Sequence, residues 1–150
     1  MGYNSQHKIK IRKSTPDDIP SIVDIWYHAS VKAHDFISPQ LWASHKKEMA
    51  EKYIPQAETY VVIENNLVVG FISMVNNYLA ALFVKTDWQG KRTGTKLLNF
   101  IKKRRENIEL KVFKKNTQSV AFYKHSGFTI VAEEIEKNTN EPELIMVWSQ

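Results

Sequence analysis

An apolar run, Leu79-Ala80-Ala81-Leu82-Phe83-Val84, leads through Lys85-Thr86-Asp87 into Gln89-Gly90-Lys91-Arg92-Thr93-Gly94, and a helical pattern then opens at Thr95. The short run reads as a buried strand, and Leu97, Leu98 and Ile101 fall on one side of the helix that follows. Strand, glycine-containing turn and helix start together form an anion cradle. The first N–H groups of a helix lack intrahelical partners, and the helix dipole favours negative charge there. The glycines let backbone approach a ligand closely, while Lys91 and Arg92 add positive charge. The expected guest is a phosphate or pyrophosphate. The competing reading is an ordinary connection between a strand and a helix.

With 150 residues the chain suits one domain, 1–150, and 43% apolar with 25% charged residues is the balance of a globular protein. No apolar run approaches the ~20 residues of a membrane span, and MGYNSQHKIKIRKS lacks the apolar core of a secretory signal. A cytoplasmic location is expected. The absence of cysteine excludes disulfides, cysteine-ligated zinc and a cysteine nucleophile. His7, His28, His45 and His125 show no metal-binding spacing, so no metal is expected.

The net charge of +5 is densest at Lys102, Lys103, Arg104 and Arg105. A nucleic-acid patch is one reading of that run. The other is the solvated end of a helix, where cations complement the dipole. No aromatic residues interleave the run as single-strand binding requires, which favours the helix end.

Elements alternate along the rest of the chain. Lys8–Arg12 alternates as a strand. Ser14 or Thr15 caps a helix whose apolar positions are Ile19, Ile22, Val23 and Trp26. Pro39 opens a second helix through Leu41, Trp42 and Met49 that is expected to end before Pro55. Strands 60–64 and 67–75 flank a two-residue Asn65-Asn66 turn, and Asn76-Asn77 repeats the signal before strand 78–84. A helix over 95–106, a strand 108–113, a helix 117–126 stopped by Gly127, and a hairpin of 128–135 with 143–148 complete the order. The pattern is β-α-α-β-β-β-α-β-α-β-β, a mixed α/β (α+β) arrangement.

Asn116, Phe122-Tyr123 and Gly127-Phe128, taken with Gln89–Gly94, resemble the GNAT superfamily of acetyl-coenzyme A-dependent N-acetyltransferases, especially small bacterial members with a His-x-Phe pair, here His34-Asp35-Phe36. Gln89 and Gly94 match the ends of the family's Gln/Arg-x-x-Gly-x-Gly/Ala cradle, whereas Arg92 stands at its middle glycine. The resemblance implies a mostly antiparallel sheet of six to seven strands, about four flanking helices, and a splayed strand pair at the cofactor cleft. It implies that Leu82 and Val84 offer backbone groups to the pantetheine arm, with Asn116 beside them. Gln89, Gly90, Lys91, Arg92, Thr93, Gly94 and Thr95 would receive the pyrophosphate. Trp26, Phe36 and Tyr78 would wall the acceptor groove.

Tyr123 is the implied general acid. Amine attack on a thioester gives a tetrahedral intermediate that expels a thiolate, and a phenol of pKa about 10 can protonate a thiol-type leaving group of pKa about 8.5. Spacing alone favours packing roles for Phe122 and Tyr123; the resemblance reverses that for Tyr123 and leaves Phe122 as core. The strand Tyr78–Val84 carries no carboxylate to act as base, which leaves His34 or bulk water to take the amine proton. Without cysteine, acetyl transfer is expected to be direct, within a ternary complex. The acceptor is an amine of a small molecule or a protein, and the chain a monomer or homodimer. A catalytically silent coenzyme A-binding module and a basic nucleic-acid-binding domain are the alternatives.

Overall fold

Alternation along the strands and amphipathic helices between them predict a sheet covered on both faces. The computed structural model, which describes residues 9–150, has that form. Seven strands lie in the order β1-β2-β3-β4-β5-β7-β6: β1 (Ile9–Lys13), β2 (Glu58–Glu64), β3 (Leu67–Val75), β4 (Tyr78–Val84), β5 (Asn107–Phe113), β6 (Thr129–Ile135) and β7 (Pro142–Ser149). All neighbours are antiparallel except β4 and β5, which are parallel. Helices α1 (Ile19–Ala33), α2 (Pro39–Ser44), α3 (Thr93–Lys102) and α4 (Thr117–His125) flank the sheet. Lys8 and His7 lie outside the described residues. Among the described residues no helix is long and apolar enough to cross a membrane.

Successive strand residues feed opposite cores. Val62, Ile72 and Met74 face Leu97, Leu98 and Ile101 of α3, together with Tyr123, Phe128 and Met146. Their neighbours Val61 and Phe71 face Ile22, Ile25 and Trp26 of α1 on the other side. Each fully buried aliphatic chain contributes roughly 1.5–3 kcal/mol, so the two layers fix the register of the central strands. Asn65 and Asn66 both take positive φ, 53° and 65°, as the tight turn between β2 and β3 requires.

Two helices differ most from the sequence expectation. The helix expected over 95–106 begins at Thr93, where the chain enters it from Arg92 in the left-handed region, and it ends at Lys102. The helix expected from Pro39 is broken after Ser44 and continues as short turns at Lys46–Glu48, Met49–Tyr53 and Ile54–Gln56. It therefore passes Pro55 instead of ending before it. Met49–Tyr53 is a π turn, in which Ile54 N–H reaches back to the Met49 carbonyl. That wider turn accommodates Pro55, which has no N–H to donate and whose ring crowds the preceding helical turn.

Three cations of the basic run at the end of α3, Lys102, Arg104 and Arg105, make local contacts. Lys102 Nζ donates to the Ser126 carbonyl, and the Arg104 guanidinium lies 3.5 Å from the Phe100 ring centroid. Arg105 donates to the Asn76 carbonyl at 3.1 Å and to Glu58 at 2.8 Å. These bonds follow the helix-end reading of the run.

Candidate active site

The cleft starts where β4 and β5 part. The two strands meet in register at one pair, Tyr78 with Glu109. Asn77 pins that end: its carbonyl accepts from Glu109 N–H at 2.9 Å, and its amide donates to Asn107 Oδ1 at 3.0 Å. Beyond it the strands splay. Lys85 N–H donates to the Val69 carbonyl on β3, so strand alternation turns the main-chain groups of Leu82 and Val84 away from β3 and toward the opening. Ala80 has no partner opposite it on β3, because the register shifts between Ser73 and Met74.

The opening is a cleft of about 430 Å³. Leu82 and Val84 line one side, and Gln89, Gly90, Arg92, Thr93, Gly94 and Thr95 line its end. Asn116 and Tyr123 of the α4 region complete the wall. The cradle residues and the later motif, distant in sequence, are thereby brought together. Lys91 is the exception: it does not line the cleft, and its Nζ lies 5.2 Å from the Trp88 ring centroid.

At the helix start, Lys96 N–H reaches the Arg92 carbonyl at 3.0 Å, so the preceding N–H groups of Thr93, Gly94 and Thr95 have no intrahelical acceptor. Arg92 supplies no side-chain cap and sits at φ 65°. Gly94 faces Phe122, and a Cβ there would lie 3.6 Å from the ring. Gly90, at φ +85°, is in the left-handed region that favours glycine. A ring of unpaired N–H groups, glycine and nearby cations suits a pyrophosphate.

Side chains from α1 also reach the cleft and have no counterpart in the sequence reading. Ala29, Lys32 and Ala33 line it, and Lys32 Nζ lies 3.4 Å from Gln89 Oε1. Their three- and four-residue spacing places them on one helical face, the only sequence signal that could have found them. Gln89 Nε2 in turn donates to the Val84 carbonyl at 3.3 Å. Trp88 and Phe122, the latter read as core, also line the opening.

Tyr123 is 8% exposed, with its ring edge-on to Phe122 and Phe128 at 5.2 and 5.4 Å. Its hydroxyl has no hydrogen-bond partner among the described residues. Burial pushes the phenol well above its ordinary value, so it holds its proton across neutral pH.

His34, at 6% exposure, is placed differently from a free base. Nδ1 lies 2.8 Å from the Ser30 carbonyl, and Nε2 lies 3.2 Å from Asn116 Nδ2. Both ring nitrogens are engaged, and neither is open to a substrate amine. Burial lowers its affinity for a proton. Of the expected acceptor-side residues, Trp26 is a core side chain packed against Trp42 at 5.9 Å. Phe36 is half-buried against His34 and Phe113 at 5.7 Å each, and Tyr78 stands at the pinned end of the strand pair.

Residues 29–141 match the model of the acetyltransferase (GNAT) domain family. The chain is 29% identical over 139 residues to the peptidyl-lysine N-acetyltransferase YiaC of Escherichia coli, covering 92% of this chain and 95% of that protein. It is 26% identical to the peptidyl-lysine N-acetyltransferase YjaB of Salmonella typhimurium over 89% of this chain and 92% of that one. In structure it is similar to apo YjaB from Escherichia coli, with TM-score 0.83 and 25% identity over 94% of this chain and 97% of that chain. The PaiA N-acetyltransferase of Thermoplasma acidophilum, solved with coenzyme A, shares the fold with TM-score 0.78 and 20% identity over 95% and 99% of the two chains.

Proposed function

The chain belongs to the GNAT acetyltransferase family, and on that premise we propose that it moves an acetyl group from acetyl-coenzyme A directly to a lysine amine of a protein. The observation that carries this reading is the splayed strand pair, with free helix-start N–H groups at one end and Tyr123 lining the same cleft. The relatives named as peptidyl-lysine acetyltransferases support the acceptor class.

Bound acetyl-coenzyme A supplies an activated thioester acyl group. Thr93, Gly94 and Thr95 would hold its pyrophosphate through main-chain N–H groups, with Arg92 and Lys32 as the cations at hand. Leu82 and Val84 would hold the pantetheine arm by the main chain, and Asn116 stands beside it. Tyr123 would donate its proton to the departing sulfur, forming the S–H bond as the C–S bond breaks. A phenol is protonated at neutral pH and so is loaded for that step. The lysine ammonium loses one proton to solvent water, since both nitrogens of His34 are engaged. Its nitrogen forms the C–N bond as the C–S bond breaks, and the second N–H proton, released as the amide forms, restores the Tyr123 phenol.

The test uses the purified full-length protein with acetyl-coenzyme A and peptides carrying either a free lysine or a free N-terminus. Acetylation at lysine is expected. Cofactor at 100 times its dissociation constant should add about 2.7 kcal/mol and raise Tm by about 5–10 °C. A folded protein that shows no shift at millimolar cofactor would refute the reading.

A further inference from the structure

His34 closes α1 and Asn116 opens α4, so one side-chain contact joins the ends of two helices that are 82 residues apart at the contact. The identity of each atom in this contact follows from its partners. A carbonyl oxygen only accepts, so Nδ1, 2.8 Å from the Ser30 carbonyl, carries the imidazole proton. In the neutral ring Nε2 is then an acceptor, and Asn116 Nδ2 donates to it. The Asn116 amide is thus oriented with Oδ1 toward α4, where it accepts from Ser119 N–H at 3.2 Å. One imidazole and one amide fix each other's orientation. No alternative keeps all three bonds. A proton on Nε2 would face the amide N–H group, and turning the amide over would present N–H to Ser119 N–H.

We propose that neutral His34 is a positioning residue for this acetyltransferase, holding the Asn116 amide and through it the start of α4. Tyr123 lies two turns beyond Asn116 on the same helical face, and both line the cleft. A small rotation at the helix start is therefore carried to the hydroxyl. The imidazole is held by Phe36, Trp42 and Phe113, with ring centroids 5.7, 5.1 and 5.3 Å away. Of the nearby charged groups, Asp35 follows it in the chain and Lys115 lies over the outer Phe36 ring at 5.5 Å. The imidazole's reluctance to take a proton, caused by its burial, agrees with a neutral ring.

The kinetic consequence rests on the transfer reading, whereas the clamp itself does not. Long-range proton–nitrogen NMR of the full chain at pH 7 should show His34 as the neutral Nδ1–H tautomer. The Nε2–H tautomer or the cation would overturn the proposal. His34→Phe keeps a ring but offers no acceptor, and His34→Gln offers an amide oxygen near the place of Nε2. His34→Phe should lose about tenfold in coenzyme A affinity and in kcat/KM, the value of one hydrogen bond, and should speed amide exchange at Ser119. His34→Gln should recover most of each even if both variants lose similar thermal stability. Equal losses in the two variants, or none in either, would sink the clamp. If the parent acetylates no lysine peptide, the transfer reading fails, and the tautomer and Ser119 exchange still decide the clamp.

Discussion

The cleft wall formed by β4, the cradle and α4 would, on the proposed function, meet coenzyme A mainly through main chain: the Leu82 and Val84 peptide groups and the N–H groups of Thr93 to Thr95. The other wall is the face of α1 carrying Ala29, Lys32 and Ala33, backed by side chains of α1 and the broken helix 39–56. There Trp26 packs edge-on to Trp42, and the His34 ring lies tilted against Trp42 at 5.1 Å. A coenzyme is the same molecule in every turnover, so unchanging peptide groups can be set for it once. An acceptor wall must discriminate, and side chains on short, irregular turns supply shape without a repeating pattern. The difference predicts that the two walls answer differently to mutation.

The largest effect should come from Trp26, on the side-chain wall. Trp26→Ala removes a buried indole between α1 and the sheet, and large-to-small changes of this type cost about 3–5 kcal/mol. Thermal unfolding should fall by roughly 6–20 °C. At temperatures where the variant stays folded, coenzyme A affinity should match the parent. A parallel loss of cofactor affinity would break the division between the walls.

Tyr123→Phe should lower kcat by roughly 10²-fold with little change in Tm, because the ring stays and the hydroxyl has no hydrogen-bond partner among the described residues. The sequence alone suggests that the phenol limits the rate at high pH, since its ordinary pKa is about 10. Burial removes that limb from reach. A phenol whose proton affinity is raised stays protonated from about pH 6 to about pH 9.5, so its own titration cannot lower the rate in that window. The rate profiles of parent and variant should then run parallel. A variant with unchanged kcat, on an acceptor for which chemistry limits the rate, would leave Tyr123 as a core aromatic.

The main-chain wall was also the readable one. Glycines, strand runs and helix starts are local signals, so β3 and β4 appear at the expected bounds and the cradle residues other than Lys91 line one cleft. The helix start at Thr93 escapes the sequence reading because no propensity rule anticipates a left-handed arginine, and the fraying end at Lys102 is a boundary that sequence places only loosely. The side-chain wall was less legible. A π turn forms where the packing of Ile54 and the ring of Pro55 must both be accommodated, and Lys32 enters the cleft through the packing of α1 on the sheet. The sequence offers His34 as a free base because its partner, Asn116, is 82 residues away. Tertiary contacts of that range leave no periodic trace.

The smallest expected effect concerns Arg92, where the main-chain wall departs from its own logic. An L-residue at φ 65° is strained by about 1–2 kcal/mol, and the position is one at which glycine would relax the turn. Its guanidinium could offset this only by what it contributes to an anion, and an exposed charge pair is worth at most about 1 kcal/mol, or about fivefold in affinity. Two substitutions separate backbone from charge. Arg92→Ala keeps the strain and loses the charge, so Tm should hold while coenzyme A binds up to about fivefold more weakly and with a shallower salt dependence. Arg92→Gly relieves the strain as well, so Tm should rise by about 2–4 °C while cofactor affinity falls as in the alanine variant. If the glycine variant instead binds coenzyme A more tightly than the parent, the arginine obstructs the cradle, and the free N–H groups of Thr93 to Thr95 carry the pyrophosphate without it.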